Sequence, residues 1–188
     1  MRKAVAVEVE SPPPELYAVE EPYRRIVEEV AAYVAERETL EKEKYKELYR
    51  RFRELYPLPS QLIQQAMNQG VETGRSFLQR KKKDGRVHKP RPEVRHVSIR
   101  FAKDSWSYRK AISSVAPVRL GLSLPGGRRE VWIKPHRRFW LYWWKVLLKE
   151  AELASTLVLK RRRNNGTPSS PSTWRRGRSL RRRLLPST

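Results

Sequence analysis

The sequence predicts an α+β fold in which a bundle of helices interrupts the strands of a sheet. Apolar and polar residues alternate near the start of the chain, which is typical of a half-buried strand. Apolar residues then recur at spacings of three and four over three segments, as in amphipathic helices, and alternate again later. We therefore expect a first strand in 1–10, an inserted helical domain in 15–84, further strands with an aromatic helix in 85–160, and a tail in 161–188.

The first half of the chain contains one predicted strand and three predicted helices. The strand is KAVAVEV at 3–9. Pro22 favours the start of the first helix, because proline at the first helical position loses no hydrogen bond. The second helix is predicted over 41–56, with acidic residues leading and arginines trailing, as the helix dipole prefers. The third helix should begin at Ser60, whose hydroxyl can accept hydrogen bonds from the first free amides.

The third helix leads into the most basic segment of the chain. Gly70 and Gly74 lie on its apolar side and should allow another backbone to come close. The helix should break at Asp84-Gly85. Between Arg80 and Arg100 there are nine Lys or Arg residues against two acids. Charge of that density predicts contact with the phosphates of RNA or DNA, although a solvated surface is the alternative.

Beyond the basic segment, the pattern changes from helical to extended. Pro125-Gly126-Gly127 should form the turn of a hairpin. A helix rich in aromatic residues is predicted at 136–150. Trp106 and Tyr108 are expected to cover a sheet edge. The predicted strands are 97–101, 118–124, 130–134 and 153–160.

The aromatic helix has two interpretations. Its aromatic residues can form core, or Tyr142 and Trp144 can lie at the rim beside Arg137 and Arg138 and stack on unpaired bases. We include both arginines among the candidates for nucleic-acid binding. The full set is Arg75, Arg80, Lys81, Lys82, Lys83, Arg86, Lys89, Arg91, Arg95, Arg100, Arg137 and Arg138.

Composition excludes several other classes of function. The net charge is +22, and it arises beyond residue 56, since residues 1–56 alone carry a net −2. There is no cysteine, and the three histidines are scattered, so we expect no metal site and no cofactor. The few acids beyond residue 56 do not form the cluster that a two-metal nuclease needs. We therefore expect no enzyme activity from this chain, no membrane span and a cytoplasmic location.

The tail from Arg161 has nine arginines and no acid among mostly small polar residues and leucine. Such a composition cannot bury enough surface to fold alone, so we expect disorder. Arginine runs of this kind are also produced when a GC-rich gene is translated out of frame. Loss of the reading frame soon after Lys160 is therefore a hypothesis, which the downstream nucleotide sequence tests.

Three segments together resemble a known family. They are LPSQLIQQAMNQGVETGRSFLQRKKKDG, KPRPEVRHVSIRFAKDSW and VRLGLSLPGGRREVWI. They are similar to the N-terminal half of the TnpB (OrfB) proteins of small insertion sequences, a family described as transposases whose members are RNA-guided DNA endonucleases. The resemblance covers roughly residues 1–160.

The resemblance implies a wedge-like β-barrel interrupted by a helical recognition lobe, with guide RNA and target DNA as partners held through backbone contacts. A small transposase encoded nearby is a further implied partner. The family's nuclease domain and cysteine zinc ribbon, which use divalent metal and zinc, lie downstream of the segments seen here. No catalytic or zinc residue can be assigned, so the resemblance implies a truncated protein that keeps the binding half.

Two other functions fit the same residues. The chain can be a stand-alone basic RNA- or DNA-binding protein, for example a ribosome-associated factor. It can also be a structural protein whose aromatic helix docks a protein partner, with the charge serving solubility. A transposase gene beside this one would favour the TnpB interpretation, and failure to bind any nucleic acid would favour the structural one.

Overall fold

The structure is a computed structural model, and it describes residues 7–10, 12–84, 90–110, 118–135, 145, 156–162 and 173–177. The fold is α+β, with three long helices and seven strands in these residues. The chain forms two compact units. One comprises Glu15–Ile99 and is helical, and the other comprises Met1–Pro14 with Arg100–Thr188 and contains the sheet.

The helices are α1 (Pro14–Arg37), α2 (Lys42–Leu55) and α3 (Ser60–Asp84). The predicted bounds of α2 and the predicted start of α3 are confirmed to within one residue. The predicted start of α1 is wrong, because the helix begins at Pro14 and contains Pro22. An internal proline costs about 3 kcal/mol. Burial of a continuous apolar stripe that starts at Leu16 and Val19, ahead of Pro22, offsets this cost.

The start of α3 uses a different hydrogen-bond acceptor from the one predicted. The carbonyl oxygen of Pro59 accepts from the amides of Leu62 and Ile63 at 2.9 and 3.2 Å. The Ser60 hydroxyl instead accepts from Nη1 of Arg53 at 2.8 Å. Ser60 therefore joins α3 to the end of α2, and the prolines at 57 and 59 stop one helix and start the next.

The three helices pack around a continuous apolar core. Tyr23 and Phe52 are its largest fully buried members, followed by Leu16. Arg51 of α2 forms an ion pair with Glu29, and Nζ of Lys44 lies 6.0 Å from the centre of the Tyr33 ring, so α2 runs antiparallel to α1. The contacts between α1 and α3 run in the same direction along both helices, so this pair is parallel.

The strands form one seven-stranded sheet in the order β2-β6-β7-β1-β5-β4-β3. The register between β4 and β5 runs from Val118–Ile133 to Leu124–Gly127, which confirms the predicted hairpin. Gly126 and Gly127 have φ values of 80° and 123° in its turn, a region that favours glycine. The strands are β1 (Val7–Glu10), β2 (Ile99–Phe101), β3 (Trp106–Lys110), β4 (Val118–Leu124), β5 (Gly127–Pro135), β6 (Leu157–Arg162) and β7 (Thr173–Gly177).

Strand β3 was not predicted as a strand. Trp106 and Tyr108 are part of this edge strand and pair with Leu122 and Leu120 of β4. Because β2 and β3 are the two edges of the order, the sheet is open within the described residues, and the closed barrel implied by the TnpB resemblance is not seen there.

The expectation of a fully disordered tail does not hold for Thr173–Gly177. These residues form β7, which pairs antiparallel with β6 and with β1. A composition rule considers only what a segment can bury by itself, whereas a strand with neighbours on both sides gains backbone hydrogen bonds from each. The predicted aromatic helix at 136–150 lies outside the described residues, except for Lys145.

Candidate nucleic-acid interface

The C-terminal part of α3 carries five exposed cations, which we call the α3 basic patch: Arg75, Arg80, Lys81, Lys82 and Lys83. Arg75 and Lys82 are seven residues apart, so they project from the same side of the helix about 10.5 Å apart along its axis. Lys81, Lys82 and Lys83 occupy the last turn. There they also face the partial negative charge of the helix C-terminus.

Two glycines hold α3 close against α1. A Cβ atom at Gly70 would lie 2.6 Å from Cβ of Val30 and 2.9 Å from the backbone oxygen of Val27. At Gly74 it would lie 2.8 Å from the backbone oxygen of Ala31. All three distances are too short for a Cβ atom, so the predicted close approach of the two backbones is confirmed. The contact fixes the position of α3 relative to α1 just before the α3 basic patch.

Three basic residues in this part of the chain form ion pairs with carboxylates. Lys82 lies 3.6 Å from Glu38, and Arg91 lies 3.0 Å from Glu36, at the end of α1. Nε of Arg95 donates to Glu93 at 2.7 Å, and this hydrogen bond raises the pKa of Arg95 above its usual value. All these side chains are largely exposed, so each pair contributes little to stability.

The remaining four cations of the α3 basic patch have no carboxylate partner among the described residues. They are Arg75, Arg80, Lys81 and Lys83. Nε of Arg80 donates to the backbone oxygen of Ser76 at 3.3 Å, within its own helix. These four side chains are exposed and available to an external anion.

The segment 90–98 has no regular secondary structure. Pro92, Val94 and Val97 are buried, whereas Arg91, just before them, and Arg95, between Val94 and Val97, are exposed. This alternation anchors the segment through its apolar residues and leaves the two arginines at the surface. The proline and arginine spacing seen in the sequence thus has a packing function as well.

The structure brings together only part of the predicted site. Arg100 is half-buried on β2, in the sheet unit and not in the helical unit. Four further candidates lie outside the described residues: Arg86, Lys89, Arg137 and Arg138.

The sequence analysis missed a second basic surface, on one side of β3, β4 and β5. We call it the outer sheet face and define it by Ser107, Arg109, Arg119, Gly121, Arg128, Glu130 and Trp132. The guanidinium carbon of Arg119 lies 4.2 Å from the centre of the Trp132 ring, and its Nη1 donates to Oε2 of Glu130 at 3.3 Å. Alternation along VRLGLSL does predict that Arg119 and Gly121 share a side of β4, but only the register adds the other strands.

The outer sheet face contains a depression of about 240 Å³. Gly121 forms its floor, and a Cβ atom there would lie 2.8 Å from Nε of Arg128 and 2.9 Å from Oγ of Ser107. The absence of a side chain on Gly121 therefore lets Arg128 lie across β4. Six of the seven residues of this face line the depression, with Trp132 beside it.

Other kinds of site are not seen in the described part of the chain. No group of three or more His, Cys, Asp or Glu residues there could hold a metal ion. None of the described helices combines the length and the apolar character needed to cross a membrane.

Comparison with known proteins gives a family and no curated relative. No curated protein matches the chain. The model of the uncharacterized protein MJ0013 family matches residues 19–115, just over half of the sequence. The match includes most of α1, all of α2 and α3, the segment with Arg91 and Arg95, and strands β2 and β3. The chain therefore belongs to the uncharacterized protein MJ0013 family.

Proposed function

We propose that this protein binds nucleic acid through the α3 basic patch and does not cut it. The observation that carries the proposal is the set of four exposed cations without carboxylate partners among the described residues: Arg75, Arg80, Lys81 and Lys83. Like charges so close together repel one another, and a polyanion relieves that repulsion while releasing its own counterions.

A purely structural function explains only part of this arrangement. Lysines in the last turn of a helix stabilise it by about 0.3–1 kcal/mol each through the helix dipole. That effect falls off within the last turn, so it does not explain Arg75, two turns earlier. Solubility alone does not require the cations to be concentrated at one end of α3. A surface with charges of both signs is also soluble, and α2 has such a surface, with Glu43, Lys46, Glu47 and Arg50.

The narrower form of the proposal is a protein related to the N-terminal half of TnpB, with guide RNA and target DNA as partners and the cytoplasm as its location. The order strand, helices, strands supports it. Closure of the sheet into a barrel belongs to the same proposal and would require β2 to pair with β3 at the two edges. The alternative is a stand-alone RNA- or DNA-binding protein, such as a ribosome-associated factor.

The proposal is tested by binding of the full chain to labelled nucleic acids. Fluorescence anisotropy would be measured with an RNA hairpin, a single-stranded RNA and a DNA duplex as KCl is raised from about 50 to about 200 mM. Four phosphate contacts predict a slope of log K against log salt of about −3.6 for duplex DNA and about −2.8 for a single strand. An affinity that does not change with KCl concentration, or no binding at all, would overturn the proposal.

The source of the RNA separates the two forms. If the protein resembles TnpB in function, it should bind a structured RNA transcribed from its own locus more tightly than an unrelated hairpin of equal length. Equal affinity for both, together with no transposase gene nearby, would favour the stand-alone binding protein.

A further inference from the structure

We infer that the outer sheet face is a second nucleic-acid site, which binds the backbone and one base of a single strand. The inference rests on the proposed nucleic-acid function, but it concerns the sheet unit alone. In this site Arg109 and Arg128 would contact phosphates, and Arg119, held over Trp132, would present its planar guanidinium group to a base.

The register gives the first argument. Arg109 of β3 lies directly opposite Arg119 of β4. Like charges opposite each other in a sheet lower its stability. Arg119 has Glu130 and Trp132 as partners, whereas Arg109 forms no ion pair with a described residue. A bound phosphate group would supply the missing negative charge.

The second argument is the glycine in β4. Glycine weakens the interior of a strand and often marks a place where another group approaches closely. Here the approaching group is the guanidinium of Arg128, at 2.8 Å from where a Cβ atom of Gly121 would lie. Arg128 is exposed and has no ion pair among the described residues, so its charge is directed over the depression and remains unneutralised.

The charge of the depression suits a phosphate group, and its volume of about 240 Å³ is large enough to admit one. Three arginines and one glutamate line it, so its net charge is positive, and the glutamate is already bonded to Arg119.

The third argument is the stacked pair of Arg119 and Trp132. Unpaired bases stack on aromatic rings and on arginine planes in proteins that bind single strands. The hydrogen bond to Glu130 and the ring of Trp132 hold the Arg119 group in place, while its side chain remains 45% exposed. A duplex keeps its bases inside, so this feature favours a single strand over a duplex.

The test uses the full chain and a labelled oligouridylate of about ten nucleotides, which forms no stable structure. The variants R109Q and R128Q should each weaken binding about fivefold at 0.1 M salt and reduce the salt slope by about 0.7. R119K keeps the charge but loses the planar group. It should weaken binding by about fivefold or more with an unchanged slope.

Two further variants separate a functional site from a structural one. R109Q removes a repulsion within the sheet, so its melting temperature should equal or exceed that of the wild type while its affinity falls. G121A should also fold, because only the ends of the Arg128 and Ser107 side chains need to move. It should nevertheless weaken binding, since Arg128 can no longer lie across β4. K103Q is the matched control on the same unit and should leave binding within about twofold.

The outcomes distinguish this inference from the proposed function. If the wild type binds no nucleic acid, both fail. If it binds, and R109Q, R128Q, R119K and G121A all bind the oligouridylate as the wild type does, only the present inference is overturned. Inorganic phosphate that competes at equal molar concentration with the oligouridylate would show a site for the free ion and would also overturn it.

Discussion

Neutralising three unpaired cations near the C-terminus of α3 should reduce nucleic-acid affinity far more than neutralising the same number of charges on α2. The perturbation is the triple variant R80Q/K81Q/K83Q. All three side chains are exposed and form no ion pair with a described residue, and glutamine is a good helix former. We therefore expect the fold to remain, with at most about 1 kcal/mol lost for each lysine removed from the helix C-terminus.

The magnitude follows from the number of phosphate contacts removed. Three fewer contacts reduce the slope of log K against log salt by about 2.7 on a DNA duplex and by about 2.1 on a single strand. At about 0.1 M salt this corresponds to a loss of affinity of roughly two to three powers of ten. Because counterion release contributes nothing at a reference concentration of 1 M, the wild-type and variant lines should converge as salt is raised toward it.

The assay is fluorescence anisotropy of a labelled RNA hairpin over a series of KCl concentrations. The matched control is K42Q/K46Q/R50Q, which changes the net charge equally on exposed positions of α2. Glutamates 43, 47 and 54 already balance the charges of that surface. The control should therefore lose at most severalfold in affinity, through the overall field of the protein alone.

Two results would refute this reasoning. If both triple variants lose affinity equally, the α3 basic patch has no special function and only net charge matters. If the α3 variant retains the wild-type slope while remaining folded, its cations make no phosphate contact. Thermal unfolding of each variant, followed by circular dichroism, shows whether a loss of binding reflects loss of the helix.

Three other predictions concern stability. G70A should lower the free energy of unfolding in urea by up to about 2 kcal/mol, since overpacking against Val30 costs about 1–3 kcal/mol and the gain in helix propensity is only about 1 kcal/mol. The double variant G70A/V30A should recover part of the loss. An unchanged urea midpoint in G70A would contradict the close contact. Deletion of residues 163–188 removes β7 and leaves β1 and β6 unpaired on that side, so it should clearly lower the melting temperature. Deletion of 178–188 keeps β7 and should not. Equal melting temperatures for the two deletions would show that β7 contributes nothing to stability. Hydrogen bonds from Arg24 and, to a lesser degree, Arg25 lower the pKa of Glu21 to about 2. The stabilisation from this ionised carboxylate is therefore present above its usual pKa of 4.5 and is lost as the pH falls toward 2. Because the network is exposed, it is worth about 1 kcal/mol or less, and NMR titration of the carboxylate would check the lowered pKa.

The helices were predictable because their information is local. Apolar spacing and flanking prolines gave α2 and the start of α3 from neighbouring residues alone. The start of α1 was missed because Pro14 and Pro22 satisfy the same rule for a first helical position. Which of the two prolines starts the helix depends on whether Leu16 and Val19 are buried, and their burial depends on tertiary packing.

The sheet and its outer face were less predictable because they depend on pairing. β3 has the aromatic residues of a strand, but its five residues stand between a 3₁₀ turn and a segment without a clear pattern. β7 is a strand because of its neighbours β1 and β6. The α3 basic patch was visible because its residues are adjacent in sequence, whereas Arg109, Arg119 and Arg128 become neighbours only through the register.

The place of β1 within the sheet affects the order in which the protein folds during synthesis. Its partners β5 and β7 are encoded far downstream, so β1 leaves the ribosome long before either can pair with it. The helical unit is a continuous segment and can fold first, through contacts that are closer in sequence. Until translation is nearly finished, the nascent chain would therefore expose an extended segment with unpaired amides, which a chaperone or a neighbouring chain could bind.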